Sequence, residues 1–517
     1  MRQNKDGVQK LFRLFGHFSL GVLLLSTSLL CSSFAEFKKS QAASFSEYAD
    51  ERDTKFKRFL QEQWTEYNAQ KGMPLYEKQK PKNIVSTQPT TIKSVGPKIH
   101  IFIKKIPLVE EVKPQKEIIP EIVKVDEKPR EEIVLEIIEV DIKPKLDKTV
   151  TILEIKKDIN FNFYGSNIGF NIDAPIKNAN FYPRNQKGIE NFFDTLASSD
   201  YDYLISDIEK ISKNLNLNDW GVYLLVNEVS AKVFSNRDNV NLFSWFIFNK
   251  LGYAVKIGLA NKHIVMMHYS KKIIYSTPNY TFGDKKYYVV SNYSKGGVGS
   301  LYSYKHDYPN ATKDLDLSLK TLPNFENDKQ SKTLSFKQFG EKYGVTYSYN
   351  KNLIDFMATY PQADYETYFN SPLEEETYED IANGLKKYID GKQASSAINF
   401  VLNFVQNAFV YEVDNQQFGR EKVMFAEETL YFAKSDCEDR AILFAYLVKK
   451  LFKIGVIGVK YKDHMATALY IPMPGDSVKA GGRKFVIADP TYVNSNIGQS
   501  MPKYKSQIPD SYIVVKN

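Results

Sequence analysis

The sequence predicts an α+β protein in which a helix packs on an antiparallel sheet, and it predicts that this arrangement occurs twice. Three observations carry this. The apolar helical run Ala441 to Leu451 is followed by strand-like Ile454–Val459, a strand opening at His464, and Phe485–Asp489, with turn residues Pro474-Gly475-Asp476 and Gly481-Gly482 between the last two. The same order recurs earlier as helix Leu242–Leu251, strand Tyr253–Leu259, His263 and Ile273-Ile274-Tyr275. An offset of 200 aligns Lys250 with Lys450, Leu251 with Leu451 and Gly258 with Gly458, and one added residue sets His263 opposite His464. An unrelated segment sharing the pattern is the alternative reading.

With 517 residues and 43% apolar content, the chain has length for two to four globular domains. Residues 1–35 read as an export signal: Arg2, Lys5, Lys10 and Arg13 precede the apolar Leu20–Leu30 and the small-x-small site Ser33-Phe34-Ala35. That apolar run is short for a membrane span, and retention as an uncleaved anchor is the alternative. The expected location is outside the cytoplasm, periplasmic or associated with the cell envelope.

Residues 36–77 hold an amphipathic helix over Phe45–Gln70, with Phe56, Phe59, Trp64 and Tyr67 at helical spacing. Residues 78–150 shift to Lys-Pro and Glu-Lys-Pro steps and read as a stiff linker, whose second half, Ile133–Ile142, alternates like an edge strand. Fully extended, it would reach roughly 200 Å. The leading reading of the helix is that it folds back onto the chain's own globular body; the alternative is that helix and linker offer a cell-envelope partner a docking place.

Residues 151–300 form the first α+β unit. Asn160–Ile172 alternates like a strand, Gly188–Asn214 is helical in pattern, and Asn218-Asp219-Trp220 opens a helix reaching Phe234. Residues 301–370 connect the units through a hairpin over Lys332–Asn350, around Gly344, and a helical stretch from Leu353. Residues 371–517 open with helices over Glu374–Ile389 and Ala394–Phe409 and contain the second unit.

The chemistry gathers in the second unit. Ser435-Asp436-Cys437-Glu438 precedes the apolar helix as a capping box, with Ser435 as N-cap and Glu438 reaching back. Cys437 then lies in the first turn, where the helix dipole favours a thiolate. Removal of the signal takes Cys31 with it, leaving Cys437 unpaired in an exported chain. A small buried core cysteine is the bland reading.

Of the six histidines, His464 is the one downstream of Cys437. If its strand pairs antiparallel with Lys484–Asp489, the start of one lies beside the end of the other, and His464 meets Asp489. Alternation sets His464, Ala466 and Ala468 on one face, where the small alanines leave room for the Cys437 helix to cross. The result is a triad: Cys437 attacks, His464 acts as base then acid, and Asp489 fixes the imidazole tautomer. The Cys437 backbone N–H, with Tyr431 as a side-chain donor, would form an oxyanion hole. In the first unit Arg237 stands at the offset position of Cys437 and Thr277 near that of Asp489, so that copy would lack catalysis.

The series Ser-Asp-Cys-Glu-Asp-Arg-Ala on a helix, a strand-borne His464, and Ala-Asp-Pro-Thr-Tyr resembles the transglutaminase-like superfamily of papain-type cysteine enzymes over residues 370–505. Gln417–Lys422 and Glu427–Tyr431 resemble an exported bacterial subgroup. The resemblance implies nucleophile, base and acid at Cys437, His464 and Asp489, and acyl chemistry on the amide of a peptide or protein substrate. Hydrolysis, deamidation and transfer share the acyl-enzyme and stay open, with water as the default acceptor. The sequence departs from the family at Lys434, where glycine is frequent, and at Met465-Ala466-Thr467, where an aromatic is frequent.

The formal charge of +8, without a basic stripe, argues against nucleic acid. One cysteine and scattered histidines offer no ligand spacing, so neither metal nor cofactor is expected. The rival class is a non-catalytic envelope protein that retains the fold.

Overall fold

The computed structural model describes residues 51–102, 157–290, 299–432 and 434–516. The export signal, the start of the amphipathic helix and residues 103–150 of the expected linker lie outside them. Among the described residues, no helix is long and apolar enough to cross a membrane.

The amphipathic helix (α1, residues 51–61) folds back onto the body. Phe56 and Leu60, one turn apart, are fully buried, and Phe56 meets Phe193, Trp245 and Tyr304. The helix is shorter than its aromatic spacing predicts. Trp64 Nε1 donates to the Leu60 carbonyl at 3.1 Å, satisfying an end group, and Thr65–Tyr67 continues as an edge strand, β1.

Two helix-and-sheet units follow. In the first, α2 (Asp219–Val233), capped by Asn218, packs beside α3 (Arg237–Lys250). The sheet has β3 (Val255–Ala260), β4 (His263–Tyr269), β5 (Asn279–Phe282), β6 (Lys285–Tyr288) and β7 (Leu301–Ser303), in the order β1-β7-β3-β4-β6-β5. In the second, α4 (Ala394–Asn407) and α5 (Ala426–Phe432) flank α6 (Cys437–Phe452). Its sheet has β8 (Val456–Tyr461), β9 (His464–Leu469), β10 (Ser477–Ala480), β11 (Arg483–Ala488) and β13 (Ser511–Val514), in the order β10-β11-β9-β8-β13.

Apart from edge strand β1, the two orders correspond strand for strand. Both sheets close their central hairpin on the pair that contains the histidine: Ala260 opposite His263, and Tyr461 opposite His464. The same topology changes one assignment. Thr277 precedes β5, whose counterpart is β10, so Thr277 is not opposite Asp489. The strand corresponding to β11 is β6.

The connecting hairpin, Lys329–Gln338 with Glu341–Asn350, turns at Phe339-Gly340, both at positive φ, rather than at Gly344. That two-residue turn matches the right-handed twist of the strands. The helix Glu375–Ile389 lies close on the hairpin at Gly384, where a Cβ would come 2.8 Å from the Val345 side chain.

α6 is apolar nearly all round because it is covered on every side. Ala441 to Val448 are all buried, and each large side chain removed from water contributes about 1.5–3 kcal/mol. It packs on the β9 face that carries Met465 and Leu469, in one core with Val486 and Ala488. The alanine face points the other way: Ala466 and Ala468 cluster with Met501 and Tyr504. The expected helix crossing over the alanines is therefore reversed, because the larger Met465 and Leu469 give the helix more apolar surface to cover.

The expected linker begins as a strap on the second unit. Residues 78–102 run along it, with β2 (Val85–Ser86) parallel to β12 (Tyr492–Val493). Further on, Ile99 N–H donates to the Lys392 carbonyl, Ile101 N–H to Asp390, and Ile101 is buried. Proline and lysine do not prevent docking, since an extended segment can pair its remaining N–H groups edge-on.

Candidate active site

Cys437 is the first residue of α6 and the one cysteine among the described residues. The cap is shifted by one residue from expectation. Asp436 is the N-cap, and Asp439 reaches back to accept its backbone N–H at 3.2 Å. Ser435 instead accepts from Arg440 Nε at 3.1 Å, while the guanidinium also donates to the carbonyls of Gln406 and Phe409. Arg440 is fully buried and pins the segment before the helix to the end of α4. Glu438, freed from capping, accepts from the Cys437 thiol at 3.2 Å.

β9 and β11 are antiparallel neighbours in the register Thr467 opposite Ala488. This brings together His464 and Asp489, with Nε2 to Oδ2 at 2.9 Å. Both are buried, on the alanine face of the sheet. Asp489 is held by the Thr491 N–H at 2.9 Å, and its carbonyl accepts from Gln406 at 3.0 Å. The imidazole stacks on Tyr504 at 4.6 Å between centroids, and Asp463 accepts from the Tyr504 hydroxyl at 3.2 Å. With Nε2 on the carboxylate, Nδ1 is the nitrogen that remains for a thiol. In this conformation the thiol donates to Glu438 instead.

The helix start does not favour a thiolate here. Burial pushes the Cys437 thiol well up, Glu438 and Asp436 push it further, and Lys80 opposes them. Desolvation and like charge outweigh a helix dipole in this closed site.

The dominant feature around Cys437 is a nest of carboxylates. Asp414, Glu421, Asp436, Glu438 and Asp439 fall into overlapping groups whose ligand atoms lie within 4.8 Å of one another, and Cys437 joins one of them. Such oxygen donors suit a hard cation, a possibility that residue spacing had set aside. The cation present is the Lys80 ammonium. Its Nζ lies 2.8 Å from Asp414, 2.6 Å from Glu421, 2.5 Å from Asp436 and 2.6 Å from Glu438.

Burial alone would lower the Lys80 pKa, but Asp436, Glu438 and Asp414 hold it well above the usual lysine range. Burial would likewise raise Glu438, and Lys80 holds it below the usual carboxylate range. The remaining acids cannot all ionise. Burial and the neighbouring Glu438 push Asp436 well up; burial raises Asp414 to about 7 although Lys80 opposes it.

Tyr431 stands elsewhere. Its ring meets Tyr349 and Phe432, and Lys332 of the connecting hairpin donates to its carbonyl. These contacts turn its ring to the hairpin. Sequence reasoning missed Lys80, Tyr76, Asp414 and Glu421, which come from stretches far apart in the chain. The acid-rich Asp436 to Asp439 run was the one available signal. Comparison with family models, curated proteins and solved structures returns no match to this chain.

Proposed function

We propose that this chain is an exported cysteine hydrolase of transglutaminase-like architecture, duplicated, with a first copy that has lost its chemistry. The observation that carries the reading is the His464–Asp489 pair at 2.9 Å, on a strand whose other face packs against the helix that opens with Cys437. In this reaction the Cys437 thiol passes its proton to His464, and sulfur attacks the carbonyl carbon of an amide. The C–N bond breaks, and the amine leaves with the proton from His464. Water, deprotonated by His464, then opens the thioester and restores the thiol.

The matched strand orders and the Arg237 and Cys437 helix starts support duplication. A second reading, a non-catalytic envelope protein, is favoured by the closure of the site: Cys437 is 0% and His464 1% exposed. Peptide-library profiling by mass spectrometry separates the two. New termini produced by the unmodified chain and absent with Cys437→Ala are expected. Identical peptide patterns from both proteins would leave the second reading standing.

A further inference from the structure

The strap over the site makes more contacts than a passing connection needs. It leaves the first unit where Ser276 N–H donates to the Met73 carbonyl at 2.8 Å. Leu75 is buried, and the Tyr76 hydroxyl donates to Glu438 at 3.2 Å. Lys78 N–H donates to the Lys462 carbonyl at 3.3 Å, in the turn just before His464. Lys80 enters the carboxylate nest, and the Pro81 carbonyl accepts from Tyr411 at 2.6 Å. The backbone then pairs beside Tyr492, three residues after Asp489.

The segment thus touches the β8–β9 turn beside His464 and the α6 start carrying Cys437, and then the strand after Asp489. A polypeptide presented for attack by Cys437 would have to lie between the same elements. Glu77, Lys78 and Gln79 remain exposed between the anchors Leu75 and Lys80. A cavity of about 440 Å³ lies against the strap, lined by Lys80, Asp414 and Glu421 among others.

We infer that residues 74–87 occupy the substrate groove as an internal substrate mimic, and that Asp414, Glu421, Asp436 and Glu438 form a subsite for a lysine side chain of a polypeptide substrate. This rests on the reading of Cys437 as the nucleophile. Lys80 competes with substrate for the subsite and slows attack at Cys437 without abolishing it, and a substrate presents lysine where Lys80 stands. The carboxylates supply selectivity because a neutral side chain would leave the buried Glu438 carboxylate, 2.6 Å from the Lys80 ammonium, without its counter-charge.

The test uses the full chain in two loosened forms. Lys80→Gln removes the plug charge. Tyr411→Phe removes only the anchor on Pro81, so it keeps the carboxylates paired if Lys80→Gln proves unable to fold. Native alkylation of Cys437 by iodoacetamide, mapped by mass spectrometry, is expected to accelerate at least tenfold in Lys80→Gln and several-fold in Tyr411→Phe, and to stay within twofold in Lys80→Arg.

A labelled peptide of the residue 74–87 sequence is then titrated by fluorescence anisotropy into each loosened form carrying Cys437→Ala. Binding at least tenfold tighter than that of the same peptide with norleucine at the Lys80 position is expected. Alkylation unchanged in both loosened forms, or binding indifferent to the lysine, overturns the inference. Either failure leaves acylation of Cys437 by an acyl electrophile unaffected. Loss of that acylation with lysine-dependent binding intact would instead overturn the nucleophile reading and keep the groove.

Discussion

The two helix-and-sheet units share strand order and hairpin closure, yet they use the corresponding positions in opposite ways. In the first, Asp238, the second residue of α3, accepts from the Ile264 N–H at 2.8 Å, pairs with Arg184 and lies 3.3 Å from His263. That acid ties the helix start to the strand start, and His263 is left 63% exposed at the rim. In the second, the matching Glu438 turns to Lys80, Tyr76 and Cys437, while His464 is buried against Asp489. A fold of this kind is set by its core and tolerates either use. Its chemistry depends on where one helix-start acid and one strand-start histidine point.

Mutating the two histidines in parallel separates the two units most strongly. His464→Ala is expected to slow acylation of Cys437 roughly 10²- to 10⁴-fold, the usual contribution of a positioned base, and His263→Ala to leave it unchanged. Rates with a chromogenic acyl donor would show this, and equal losses would mean that both histidines act through stability.

Next in size is the buried cation of the strap. Lys80→Met leaves acids unpaired in the interior and is expected to cost about 3–5 kcal/mol in urea unfolding. Asp238→Ala, at the tie in the first unit, should cost about 2–3 kcal/mol by the same measurement, from lost charged hydrogen bonds. A reversed ranking would mean that the strap is loosely held.

The last test concerns pH. Asp414 has a folded-state pKa near 7 against an ordinary value of 3.8, so the folded chain binds the extra proton between these values. Its contribution to stability is present at acidic pH and lost as pH rises from about 4 to about 7, with a slope of at most about 1.4 kcal/mol per pH unit. Thermal melting across this window should show Asp414→Asn losing less stability with rising pH than the unmodified chain. Parallel curves would remove Asp414 as the titrating group.

Local signals carried much of the fold. Asn218 before Asp219-Trp220 marked a capped helix, and alternation in His464–Leu469 and Arg483–Ala488 was enough to bring His464 and Asp489 together. The face that α6 covers was misread because small residues suggested room, whereas apolar area decides packing. The cap moved from Ser435 to Asp436 because both residue types cap well, and one residue separates them.

The strap was illegible for a different reason. Its Lys-Pro composition has no periodicity, and the meeting of Lys80 with Asp414 and Glu438 spans more than 300 residues of sequence. Only the fold supplies that encounter. The carboxylate nest was scattered in the same way, since Asp414 and Glu421 belong to a loop-rich stretch before α5.

The chemistry proposed for this chain depends on Cys437 acting as a nucleophile served by His464. Treatment of the folded full chain with a thiol-directed acyl electrophile, followed by peptide mapping, tests it most directly. A single acyl adduct on Cys437 is expected, one that hydrolyses with time and forms far more slowly in His464→Ala. A Cys437 that stays unmodified even after the strap is loosened by Tyr411→Phe, or one acylated equally fast without His464, would contradict it.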